Sequence, residues 1–79
     1  MKLLIDVQCG TKVRIISFQG GKGVQAKLRQ LCILPGECVK VVKRAPFHGP
    51  IMIETEGRSV ALGRGVAAKI EVEEVEECE

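Results

Sequence analysis

The stretch IMIETEGRSVAL (51–62) leaves little freedom of fold. Ile51 and Ile53 fall on one face and Met52, Glu54 and Glu56 on the other, while Val60 and Leu62 resume the apolar alternation after Gly57-Arg58. A period of two is the signature of a half-buried strand, because successive side chains in extended backbone point to opposite faces. Two such runs around a glycine predict a β-hairpin turning at 57–58.

The same pattern recurs along the chain. KVRIISF (12–18) alternates through Val13 and Ile15 and then becomes apolar on both faces; CVKVVKR (38–44) places Val39 and Val41 together; IEV (70–72) is short but similar. Between the first two strands the period changes. After the glycine-rich turn QGGKG (19–23), residues Val24, Leu28, Leu31 and Cys32 stand at i, i+4, i+7 and i+8, the stripe of a short helix. Pro35 ends it, since the ring cannot continue a helix and pushes its predecessor toward extended backbone. APFHGP (45–50) reads as a loop between prolines and GRGVAAK (63–69) as a loop or a single helical turn.

No linker or repeat divides the chain, and 79 residues suffice for one core only. Phe18 and Phe47 are the only aromatic residues, so that core is aliphatic. These elements predict a mostly β fold: a small closed β-barrel with one short α-helix inserted after the first long strand, closure removing the edges that a small sheet would present. The domain is expected over 1–73, with 74–79 an acidic, flexible tail.

Charge is distributed unevenly. Residues 1–70 hold all 12 basic side chains and four acidic ones; the last nine positions, EVEEVEECE, hold the other six acids. A basic body with an acidic end implies a negative partner or an end that screens its own body. Met1-Lys2 precedes only three apolar residues before Asp6, short of the apolar region of a secretory signal, which needs about 7–15. The expected location is therefore cytoplasmic, where thiols stay reduced and disulfides do not form.

The cysteines decide whether the chain carries chemistry of its own. Zinc sites use closely spaced ligand pairs because one turn must aim two of them at one ion. Cys9, Cys32, Cys38 and Cys78 are scattered, and His48 is the sole histidine. No metal site and no cofactor is assigned. Cys32 on the helical stripe is read as a small buried hydrophobe, and Cys78 as an exposed thiol in the tail. GKGVQA (21–26) matches a dinucleotide fingerprint, but the next strand ends in Lys43-Arg44 where an acidic residue should bind the ribose, and no doubly wound sheet fits this length. Ser17 and Ser59 lack a catalytic partner, so no catalytic residue is assigned and the chain is read as non-enzymatic. Nucleic acid is not an expected partner: barrels that bind single strands stack each base on an aromatic ring for roughly 1–3 kcal/mol, and two phenylalanines cannot form that array. A groove for polyproline peptides fails for the same reason.

KLRQLCILPG (27–36), VKVVKRAP (39–46) and GPIMIE (49–54), in this order and followed by GRSVAL (57–62) and AAKIEVE (67–73), resemble the FeoA family over about Leu4 to Glu73. The resemblance implies an SH3-like barrel and a role as a small accessory of bacterial ferrous iron uptake. Its partner would be the FeoB-type permease, a membrane protein with a cytosolic GTPase domain. A similar module occurs in some iron-dependent repressors, so the fold alone does not fix function. The chain departs from the family at three places. Cys32 stands where the family has glycine, Cys9 where it has proline, and Gly63-Arg64-Gly65 where it has a basic pair. A side chain at position 32 disfavours a left-handed helix end, so that end is expected to differ.

The partner-binding surface is expected to join the helix and its basic flank, Lys27, Leu28, Arg29 and Leu31, to the tip of the APFHGP loop, Phe47 and His48. An inserted helix and an apolar loop tip are features that internal packing does not require. The alternatives are a transition-metal sensor or delivery module using Cys38 and His48, or weak salt-sensitive nucleic-acid binding. Self-association is the other partner class left open.

Overall fold

A computed structural model describes residues 2–77. Six strands form one antiparallel sheet in the order β1-β6-β2-β3-β4-β5. They are β1 (Lys2–Leu3), β2 (Lys12–Phe18), β3 (Cys38–Arg44), β4 (Ile51–Thr55), β5 (Arg58–Leu62) and β6 (Ile70–Glu74). Helix α1 (Lys22–Gln30) lies between β2 and β3, and the single turn α2 (Arg64–Ala67) between β5 and β6. The alternation read from 51–62 is realised as Ile51↔Leu62 and Ile53↔Val60 pairing, with all four side chains buried. The turn falls one residue earlier than expected, at Glu56-Gly57, because Thr55 pairs with Arg58. Both turn residues have positive φ (49° and 79°), as a two-residue hairpin matched to strand twist requires.

The core is one aliphatic cluster. Val13 and Ile15 of β2, Val39 and Val41 of β3, Ile70 and Val72 of β6 and Leu28 of α1 meet the hairpin residues and Leu4 there. Burying each such side chain contributes about 1.5–3 kcal/mol. Phe18 packs at the margin of this cluster, half-buried; Phe47 is 96% exposed.

Closure of the barrel is corrected: β1 and β5 are the two edges of the sheet and do not pair. β1 has only two residues before the chain turns into a 3₁₀ helix at Leu4–Asp6, which drops Leu4 and the following Val7 into the core instead of extending the ladder. An edge as short as β1 needs little protection. The acidic C-terminal stretch continues the fold past residue 73: Glu74 ends β6, Lys2 forms an ion pair with it, and the Val75 amide donates to the Lys12 carbonyl at 3.0 Å. Cys78, read from sequence as an exposed thiol, and Glu79 lie outside the described residues.

Two β-bulges interrupt the alternation, and the first explains why 12–18 reads as apolar on both faces. Between Ile15↔Val72 and Ser17↔Glu71, Ile16 is an extra residue; between Val41↔Ile53 and Lys43↔Met52, Val42 is. An extra residue shifts the phase of alternation. Ile16 (46% exposed) and Val42 (38% exposed) are thereby turned out of the core.

Candidate docking surfaces

Helix α1 begins at Lys22, two residues before the apolar stripe, with Gly21 at its N-cap and no side chain capping its first turn. Leu28 is buried, and Val24 and Leu31 pack partly buried against the core. At the far end Leu31 is the C-cap; the Ile33 amide donates to the Leu28 carbonyl (2.9 Å) and the Cys32 amide to the Arg29 carbonyl (3.0 Å). This pair of bonds is the Schellman arrangement, with Leu28 and Ile33 as its buried apolar contact. It requires a left-handed residue between them, and Cys32 supplies it at φ 58°. Two expectations fail here together. The helix end keeps the left-handed exit despite the missing glycine, and Cys32 is exposed, not a buried hydrophobe. The amide–carbonyl bonds at the helix end fix the backbone, and the backbone then directs the thiol outward.

The solvent face of α1 carries Lys22, Gln25, Ala26 and Arg29, which line a shallow groove of about 340 Å³. Lys27 is exposed beside them. Of the helix residues expected to touch a partner, Lys27 and Arg29 are free to do so, Leu31 is half-buried, and Leu28 is part of the core and offers no surface.

The β3–β4 loop is a tight turn. The Gly49 amide donates to the Pro46 carbonyl (3.1 Å) and the Ala45 amide to the Pro50 carbonyl (3.1 Å). Phe47 and His48, the two central residues, both have positive φ (59° and 60°), the conformation of a type I′ turn. Asn-Gly is the usual occupant; an L-residue with a larger side chain costs about 1–2 kcal/mol in this region. The turn is held from behind, since a Cβ on Gly49 would lie 2.7 Å from the Ala45 Cβ. The result is a rigid tip that places Phe47 in solvent.

Helix and loop do not form one surface. β2 runs away from Lys12, which pairs with Lys40, and ends at Phe18, just before α1; β3 runs back the other way and ends at Arg44, just before the loop. The C-terminal end of α1 is tied to the β4–β5 turn, where Arg58 Nη2 donates to the Cys32 carbonyl at 3.2 Å. The loop lies at the opposite end, where Arg44 Nη1 donates to the Val7 carbonyl at 2.9 Å. Strand β3 separates the two ends by roughly 20 Å, at about 3.3 Å per residue. A linear reading cannot register this, because it depends on which way each strand runs.

Among the described residues no three His, Cys, Asp or Glu side chains converge as a metal site would require. Cys9 and Cys32 are free and exposed among the described residues. One organised carboxylate escaped the sequence reading. Gln19 Nε2 and Ser17 Oγ (3.0 Å) both donate to Glu71, and these bonds, Gln19's first, hold its carboxyl below the usual range against a small opposing effect of desolvation. The linear sequence carries no signal for it, because the pairing of Glu71 with Ser17 is set by the register of β6 against β2.

A profile of the FeoA domain matches residues 2–74. Over 67 residues the chain is 36% identical to the "Putative Fe(2+) transport protein A" of Methanocaldococcus jannaschii, covering 85% of this chain and 79% of that protein. The crystal structure of an iron uptake regulatory protein (FeoA) superposes with a TM-score of 0.86 at 28% identity, over 94% of this chain and 97% of that one. The manganese regulator SloR superposes with a TM-score of 0.84 over 92% of this chain, but at 19% identity and over 34% of its own length, a likeness of fold alone. Small size, a mostly β SH3-like architecture and a match over nearly the whole length thus agree: the chain belongs to the FeoA family, which is associated with Fe(2+) transport.

Proposed function

We propose that this chain is a non-enzymatic, cytoplasmic accessory of ferrous iron uptake, which docks on the cytosolic part of a FeoB-type permease and modulates its transport. The observation that carries the docking is the charge on α1. Its exposed face presents Lys22, Lys27 and Arg29, and no acidic residue occurs anywhere in the helix. Lys27 and Arg29 in the last turn also suit the helix dipole, but Lys22 in the first turn opposes it. A cation kept where it weakens the helix is better explained by a negative partner than by stability. The groove between Lys22 and Arg29, floored by Ala26, gives that partner a close approach to the helix.

Double charge reversal, Lys27→Glu with Arg29→Glu, tests this reading by its effect on affinity for the permease's cytosolic domain. A loss of tenfold or more is expected, growing weaker as salt is added. Unchanged affinity moves the interface off the helix.

A further inference from the structure

The end of the sheet opposite α1 has apolar surface that no internal packing uses. Register places Lys43, Met52 and Ala61 side by side across the outer faces of β3, β4 and β5. Val42, turned out by its bulge, belongs to the same end of β3, and the turn that follows exposes Pro46, Phe47 and Pro50. Phe47 is held at its tip by a strained backbone, and strain of this kind persists where the surrounding structure enforces it and clusters at functional sites. Phe47 stands out from the tip of the turn, 96% exposed, so a partner that buries it must enclose it.

Charge narrows the occupant. Lys43 and Arg44 lead into the turn, Arg44 donating to the carbonyl of Val7 just after the 3₁₀ helix, and Arg64 follows β5 at the same end. A second copy related by a two-fold axis would bring Lys43 and Arg44 against their own equivalents. An anionic membrane would meet the acidic end of β6, which emerges at this same end beside β2, two strands from β3. A protein cleft with an apolar floor and carboxylates only on the side facing Lys43 meets neither objection, because the acidic strand end stays outside the contact and fixes its orientation.

We propose that the β3–β4 turn and the outer face behind it form a second docking site, with Phe47 as the anchor and Lys43 as its charged neighbour. The site takes an apolar cleft on the cytosolic part of the permease, with carboxylates on the side facing Lys43. The inference rests on the docking proposed above and adds a contact on the far side of the sheet from α1.

The test is surface plasmon resonance of the full chain over the ferrous permease held in neutral detergent. Phe47→Ala and Lys43→Glu are each expected to raise Kd at least tenfold while thermal unfolding changes little. The double variant Phe47→Asn with His48→Gly, which keeps the type I′ turn but removes the anchor, is expected to lose affinity as fully as Phe47→Ala. If wild type binds and all three variants bind equally well, this site is refuted and docking through α1 survives. If wild type does not bind, the docking itself is refuted and the second site with it. Sedimentation with vesicles containing phosphatidylserine, and sedimentation velocity of the chain alone, supply the other occupants. Vesicle binding or dimerisation abolished by Phe47→Ala assigns the turn to lipid or to a second copy and overturns the proposal.

Discussion

The amide of Ile33 donates to the carbonyl of Leu28 across the end of α1, and Cys32 at φ 58° is the residue that lets the chain turn between them. Because the Cys32 side chain is exposed, replacing it sacrifices little packing. Cys32→Gly is expected to stabilise the protein by about 0.5–1 kcal/mol, since relief of the left-handed strain outweighs glycine's greater entropy when unfolded. For a domain of this size that corresponds to a rise in Tm of roughly 2–8 °C. Cys32→Val, β-branched in the same conformation, should lower Tm instead. Differential scanning calorimetry of the two variants decides the matter.

The tip of the β3–β4 loop separates stability from function. Phe47→Ala should change unfolding free energy by less than about 0.5 kcal/mol, as surface substitutions do. Phe47→Asn with His48→Gly should raise it by about 1 kcal/mol or more, because both positions are left-handed. Denaturant unfolding of both variants gives the comparison; a large loss in Phe47→Ala would mean the ring is packed and not presented.

Gly49 has no room for a side chain. A Cβ there would meet the Ala45 Cβ at 2.7 Å and the Pro46 carbonyl at 3.1 Å. Gly49→Ala is expected to destabilise by about 1–3 kcal/mol, the range for overpacking, and to loosen the turn that carries Phe47. Unfolding midpoints report the first effect; proteolysis within 45–50 reports the second.

Much of the fold was legible because its strands alternate cleanly. The alternation points Ile51, Ile53, Val60 and Leu62 inward, and they are buried, as are Val13, Ile15, Val39 and Val41. The errors have local physical causes. Hairpin strand β5 begins at Arg58 because Glu56 tolerates positive φ, which put the turn one residue early. Cys32 looked like part of an apolar stripe because helical periodicity was extended one residue past the point where the Schellman bonds reverse the chain. Leu28 belongs to the apolar stripe of α1, and that stripe buries it, so it offers no contact to a partner. The separation of α1 from the β3–β4 loop depends on strand direction across the whole sheet, which no window of sequence contains.

Stability should depend on acid through Glu71. Its carboxyl is held below the ordinary value by bonds from Gln19 and Ser17. A group whose folded-state pKa is lowered contributes stability above its unfolded pKa and loses it as pH falls through the folded value. Wild type should therefore exceed Glu71→Gln in stability near neutral pH, and the gap should close on acidification below about 4.5, the ordinary value from which the carboxyl is displaced. Urea unfolding of both proteins across that range measures it; a gap independent of pH would mean the side chain acts only through packing.

The proposed role requires an outer surface that binds the permease. Its most direct measurement is titration of isotope-labelled protein with the soluble cytosolic domain of the FeoB-type permease, followed by NMR. Saturable shifts clustered on α1 and on 43–52, with the core methyls of Ile15 and Ile53 unmoved, are the predicted result. No shifts with the domain in several-fold excess, at concentrations up to the millimolar range, would contradict it.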